Sequence, residues 1–386
     1  MGDGIITTAS ALLVVISTEN PLWVAGLYAM QQVPWVLLAL PSGALVDRTD
    51  RNRLMVLACW SRAIGLAVLG VAVVAHHSPL GLLYAISFAD GAAAVVFDNV
   101  STTVVPDVVS RDDLESANGG LQVASTVSRS LLAAPLAGLL FAWATGSPFL
   151  VGAAFAAVGA LACSRMARFP AVTEARTVSV RAAVTEGLRW LRAHDLLWRL
   201  AAVVTLSNVM LGAVMSVAVI VARERLGLGP VGYGLLMASA AVGGIVGGLS
   251  ASAIIRAIGT GTTLRVGLCI EAGSYVGLAL TRNPFVAALV FAAMGVHLVA
   301  FSTVTTSVRQ LLTPTELLGR VHSAYRMVSN VGMLVGALVG GLAVRFVGLT
   351  APFWLGAVVV AAVAARVWPS LSDEKVDGAR RAVSTG

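Results

Sequence analysis

Long apolar blocks, each closed by a short polar step, repeat from one end of the chain to the other. Their lengths are those of membrane helices, since about 20 residues cross a hydrocarbon core. The pattern predicts twelve spans, at 3–18, 22–46, 54–75, 79–104, 114–144, 147–167, 196–222, 230–257, 262–281, 284–310, 316–346 and 350–368. The first is short, about 24 Å at 1.5 Å per residue. With Gly2-Asp3 opening the chain, the first helix is expected to be truncated. One long polar interval, 168–195, divides the spans six and six. Within it, Val178 to His194 predicts an amphipathic helix, with Leu188 and Leu191 on one face and Arg181, Glu186, Arg189 and Arg192 on the other. Such a helix suits the cytoplasmic surface of a bilayer. The expected organisation is an N-terminal six-helix bundle over 1–167, a linker over 168–195, a C-terminal six-helix bundle over 196–368 and a cytoplasmic tail over 369–386.

Composition points the same way. The chain is 58% hydrophobic and 12% charged, with a mean hydropathy of +0.87. A water-soluble domain of this size cannot bury that much apolar surface, so the solvent is lipid. The net charge of +7 does not imply nucleic-acid binding, because the basic residues lie mainly between the spans. Lys375 is the only lysine. With an even number of spans and both termini inside, only Arg223, Arg225, Arg282 and Arg345 fall in outer segments, as the positive-inside rule requires. This predicts a multi-pass protein of a bacterial-type inner membrane.

Several chemistries are excluded. There is no G-x-x-x-x-G-K-[ST] for an ATP-driven pump, and no H-E-x-x-H or G-x-S-x-G. Cys59, Cys163 and Cys269 all fall inside apolar runs, so neither a disulfide framework nor a zinc site is indicated. His76-His77 reads as a solvated outer pair. No enzyme activity, cofactor or metal is expected.

The halves repeat. Ser110-Arg-Asp-Asp113-Leu114 before the fifth span matches Thr313-Pro-Thr-Glu316-Leu317 before the eleventh, and both read as capping boxes. Ala134-Pro-Leu-Ala-Gly138 matches Ala337-Leu-Val-Gly-Gly341 at the same offset.

The densest charge lies between spans 2 and 3, in Gly43-Ala-Leu-Val-Asp47-Arg48-Thr-Asp50-Arg51-Asn-Arg53. Arg48, Arg51 and Arg53 suit the end of one helix, and Asp50 suits the start of the next. Asp47 opposes the helix dipole and so needs a cationic or N–H partner. Gly43 admits a close backbone. This stretch resembles the G-x-x-x-D-R-x-x-R signature loop of the major facilitator superfamily. Its D-R-x-D-R-x-R form resembles the branch of the enterobactin exporter and the macrolide-efflux proteins. The Glu186-to-Asp195 stretch resembles the linker of that branch, and Ala134-Pro135 stands where antiporters of the family often carry Gly-Pro. The resemblance implies an all-α membrane protein of two pseudo-symmetric six-helix bundles, with Gly43, Asp47, Arg48, Arg51 and Arg53 as a conformational motif.

Ionisable groups inside spans mark function, because each costs a few kcal/mol or more unless paired or hydrated. Asp90 in span 4 and Arg129 in span 5 lie at similar mid-membrane depth, so they are expected to pair, either as a fixed structural contact or with Asp90 exchanging protons. Asp98 lies two turns further, as a gating contact or a solvated helix end. Asp3 matches an acid in the family's first helix. Glu271 and His297 lie near mid-membrane in spans 9 and 10, where Glu271 must turn inward or pair. Arg326 in span 11 is the expected partner of Asp47 or Asp98. Gln31, Gln32, Asn208, Tyr325 and Asn330 are candidate cavity contacts, or else ordinary interhelical hydrogen-bonding groups. The resemblance implies a monomeric, proton-coupled exporter of a hydrophobic or amphiphilic small molecule, such as a drug, macrolide or siderophore. A proton symporter of a small metabolite and a non-transporting membrane scaffold or sensor remain the alternatives.

Overall fold

The computed structural model describes residues 1–38, 42, 49–77, 80–108, 120–121, 123–166, 180–314 and 317–371. Among these residues there are helices and no strands. A helix satisfies its own backbone, which is the condition for crossing lipid. The first helices are α1 (Gly2–Ser17), α2 (Pro21–Leu37), α3 (Arg51–Val74) and α4 (Leu80–Val108). A π-helical turn, Val127–Leu132, leads into α5 (Ala133–Trp143), and α6 (Ser147–Ser164) follows. Next come α7 (Val180–Ala193), α8 (Asp195–Glu224), α9 (Pro230–Ile258), α10 (Thr260–Leu280), α11 (Pro284–Leu312), α12 (Leu318–Phe346) and α13 (Ala351–Val367). Among the described residues ten helical stretches are long and apolar enough to span a membrane, and α1 is a shorter apolar helix. The second expected span is described only as far as α2. Its remainder, and most of the signature loop, lie outside the described residues.

Local chemistry sets the ends. Asn20 caps α2, its side-chain oxygen accepting from the Leu22 N–H, with Pro21 in the first turn. Asn283 does the same for α11, ahead of Pro284. Asp50 opens α3 by accepting from the Arg53 N–H at 3.1 Å, the role its position predicts. Glu316, and with it the reciprocal half of the capping box expected at Thr313 to Glu316, lies outside the described residues. The Thr313 hydroxyl donates back to the Arg309 carbonyl at 2.6 Å, closing α11, and α12 starts after Leu317 with no side-chain cap. The first-half copy, Ser110 to Asp113, lies outside the described residues.

Packing groups the chain into two compact units. One holds Met1–Thr177 with Val219–Ala238, the other Val178–Ala218 with Ser239–Gly386. In the first unit α3 packs along α4 and α6, and α1 packs against α5 and α6. Small residues let these helices approach closely. A Cβ on Gly4 would strike the Arg129 carbonyl, so α1 lies against the π-turn. Gly138 of α5 and Gly234 of α9 face the backbones of Pro230 and Ala134 respectively. In the second unit α10 packs along α11 and α13. Gly336 and Gly340 of α12 lie against the α8 carbonyls of Val209 and Ala213. The linker helix α7 packs along α12, with Gly187 against the Arg320 carbonyl and Glu186 accepting from Arg320 at 2.5 Å.

Candidate functional site

Four helices of the first unit bring five charged side chains into one chain of contacts. Asp90 of α4 receives the Arg62 Nε at 2.8 Å and its Nη2 at 3.4 Å. The same Nη2 also donates to Asp3 of α1. The other oxygen of Asp3 receives the Arg129 Nη2 at 2.5 Å, and that nitrogen reaches Asp98 at 3.1 Å. The order is Asp90–Arg62–Asp3–Arg129–Asp98, with acid and base alternating. The Arg62–Asp90 end is the drier, with side chains 10% and 14% exposed, against 36% for Arg129 and 28% for Asp98.

The expected pairing of Asp90 with Arg129 is therefore corrected. Asp90 takes Arg62, and Arg129 takes Asp3 and Asp98. The reason is connectivity. α3 and α4 are antiparallel neighbours across a short turn, with Arg62 twelve residues before the end of α3 and Asp90 ten after the start of α4. At 1.5 Å per residue the two lie within about 3 Å of the same depth. Arg129 sits instead on the π-turn against α1, which turns it toward Asp3 and Asp98. Arg62 is the site residue that sequence reasoning missed, although this count from the turn was available in it. Among the described residues three carboxylates meet two guanidiniums, and the Met1 amino group lies close to both arginines.

The second unit holds a separate pair. Glu271 and His297 are 5% and 7% exposed. The carboxylate accepts from Ser207 at 2.9 Å and Tyr275 at 3.2 Å, and its Oε2 lies 3.5 Å from His297 Nε2. Glu271 thus does turn inward and find partners, and His297 is one of them.

The remaining candidates are scattered. Gly43, Asp47 and Arg48 lie outside the described residues. Arg51 is half-buried and Arg53 exposed at the start of α3. Among the described residues of its own unit, Asp98 meets Arg129. Gln31, Gln32 and Asn330 are half-buried. The Asn208 amide donates to the Val204 carbonyl of its own helix at 2.9 Å. Tyr325 lies beneath the guanidinium of Arg309, 4.0 Å from ring centroid to Cζ. Arg309 itself is 6% exposed. Gly91, next to Asp90, has a packing role: a Cβ there would stand 3.0 Å from Pro34 of α2. Among the described residues no group of three or more His, Cys, Asp or Glu is placed to hold a metal.

Comparison with known proteins follows this geometry. A family model described as transmembrane secretion effector matches residues 1–377. An uncharacterized MFS-type transporter of Bacillus subtilis, YvqJ, is 23% identical over 374 residues, covering 93% of this chain and 86% of its own length. Among solved structures, a variant of the nucleoside transporter NupG superposes with a TM-score of 0.78 at 12% identity, covering 96% of both chains. A bacterial homologue of the iron transporter ferroportin, in its inward-facing state, gives 0.69 at 18% identity, covering 95% of this chain and 96% of that one. Likeness at such identities shows the fold, not the cargo.

Proposed function

The chain belongs to the major facilitator superfamily, in the family of transmembrane secretion effectors, and from that membership we propose that it is a proton-coupled exporter of hydrophobic or amphiphilic small molecules. It is a multi-pass secondary transporter and not an enzyme. The export direction is supported by the family description and by the resemblance of the signature loop to efflux proteins. The one observation that supports proton coupling is the linked row of three intramembrane carboxylates, Asp3, Asp90 and Asp98, which two guanidiniums serve among the described residues. An unpaired charge inside a membrane protein is costly, and protonation removes the cost.

The geometry favours one place for that proton. Asp90 is held by two N–H groups of Arg62, and Asp3 by both arginines. Among the described residues Asp98 has one side-chain contact, at 3.1 Å, in the wetter part of the chain. Protonating Asp98 weakens its attraction for Arg129 and leaves Arg129 to Asp3. The charge pattern along α1, α4 and α5 then differs between the two protonation states, and so does the conformation each state favours. Gln31 and Gln32 are proposed as polar contacts for the cargo.

The test is transport in proteoliposomes with a fluorescent pH indicator and a panel of drugs, macrolides and siderophores. Export coupled to protons moves protons against the direction of the cargo. Movement in the same direction establishes symport instead, and cargo-independent pH traces across the panel overturn the transporter-coupling reading. Asp98→Asn is expected to insert normally and to lose the dependence of transport on the pH gradient. Gradient-driven transport unchanged in Asp98→Asn rejects its role.

A further inference from the structure

Glu271 and His297 take no part in the aspartate chain, yet they are the most deeply buried ionisable pair described in the second unit. Ser207 comes from α8, Tyr275 from the next turn of α10, and the Phe301 ring from α11, 5.3 Å from the imidazole centroid. Helix α9 turns Ala240 and Gly244 toward α11, and α13 turns Gly356 toward Tyr275. Neither brings a charge to the pair. The Glu271 carboxylate meets two hydroxyl donors and the His297 Nε2 edge, and its ion pair among the described residues is the one with the imidazole.

The other nitrogen of the ring is the telling atom. His297 Nδ1 is buried and has no described hydrogen-bond partner. An unpartnered buried polar atom costs about 1–3 kcal/mol, and native structures keep few of them. Its neighbour is the bare Cα of Gly267, where a Cβ would stand 2.8 Å from Nδ1. The missing side chain leaves Nδ1 its room. With its proton on Nε2, the nitrogen nearer the carboxylate, the neutral ring presents a free lone pair at Nδ1. A proton there converts a lone buried carboxylate into an imidazolium–carboxylate pair and gives the cluster zero net charge.

We propose that His297 and Glu271 form a second proton-binding site, loaded at His297 Nδ1 and independent of the Asp3–Asp90–Asp98 chain. Its part in transport rests on the proton-coupled reading above, but the protonation itself does not. Occupying it in each cycle adds a second proton to the one carried by the aspartates.

The test is ¹⁵N-histidine NMR of the full chain in lipid bilayers, with no cargo present. The five histidines are separated by assigning the signal that disappears in His297→Gln. The expected result is an Nε2–H tautomer with a bare Nδ1 at alkaline pH that converts to imidazolium on acidification. In Glu271→Gln the imidazolium-to-imidazole ratio at a fixed acidic pH is expected to fall about tenfold, since the stabilising charge is gone. Gly267→Ala, which retains both titrating groups, is expected to displace the ring and abolish the Nδ1 titration. Asp98→Asn is expected to leave the titration unchanged, so failure here is distinct from failure of the aspartate reading. A His297 signal that stays in one state across the pH range overturns the proposal. So does an imidazolium-to-imidazole ratio that Glu271→Gln leaves unchanged.

Discussion

Neutralising Asp90 leaves Arg62 with only Asp3 to answer its charge, at the driest point of the aspartate chain. Breaking one partner out of a buried pair costs roughly 3–5 kcal/mol, because the survivor is left uncompensated. Asp90→Asn and Arg62→Gln are each expected to lower the melting temperature and the folded yield of the purified protein. The double variant Asp90→Asn, Arg62→Gln is expected to regain most of both. Combining Asp90→Asn with Arg129→Gln is expected to be worse than Asp90→Asn alone, since it also strips Asp3 and Asp98 of a cation. Rescue by Arg129→Gln but not by Arg62→Gln restores the depth-based pairing and refutes the contacts seen here. Gly4 makes the same point without charge. A methyl group there meets the Arg129 carbonyl, so the residue that seats the π-turn is one whose side chain is absent.

At the scale of elements, the linker helix α7 is held by shape more than by charge. The Glu186–Arg320 bridge is partly exposed, at 46% and 37%, and surface bridges of this kind contribute about 0–1 kcal/mol. Gly187 instead lets α7 lie directly against the α12 backbone, and Leu191 is buried there at 2% exposure. A cysteine introduced at position 191, in a background without Cys59, Cys163 and Cys269, is expected to react slowly with maleimide. Adding Gly187→Leu is expected to raise that rate severalfold, and adding Glu186→Ala to change it little. A larger effect from Glu186→Ala shows that the salt bridge seats the helix. The amphipathic spacing of Leu188 and Leu191 announced α7 in the sequence, and its observed end at Ala193 lies one residue from the expected one. The partner helix was not legible, because a glycine's contact is made by what it lacks.

For the whole molecule, apolar block length carried the fold. Hydrocarbon thickness is a strong one-dimensional constraint, so helices such as α3, α10 and α11 begin and end close to where the pattern places them. The site was legible only in part. Asp3, Asp90, Asp98, Arg129, Glu271 and His297 stand out because charge is rare in lipid. Which acid meets which base depends on helix rotation and on the π-turn at Val127–Leu132, and apolar blocks do not encode either. Orientation across the bilayer is a further property of the whole chain, and it follows from arginine placement. The α10–α11 turn at Arg282 is one of the few basic positions expected on the outer side, whereas His194 follows the arginine-rich α7. Moving several arginines across a membrane against the charge bias is unfavourable during insertion. In the cysteine-free background, Arg282→Cys is therefore expected to react with an impermeant maleimide added outside intact cells, and His194→Cys only after the membrane is opened. Both side chains are exposed, so weak reaction at either is not a matter of burial. Labelling of His194→Cys from outside, with Arg282→Cys protected, inverts the topology and places the arginine-rich linker on the outer face.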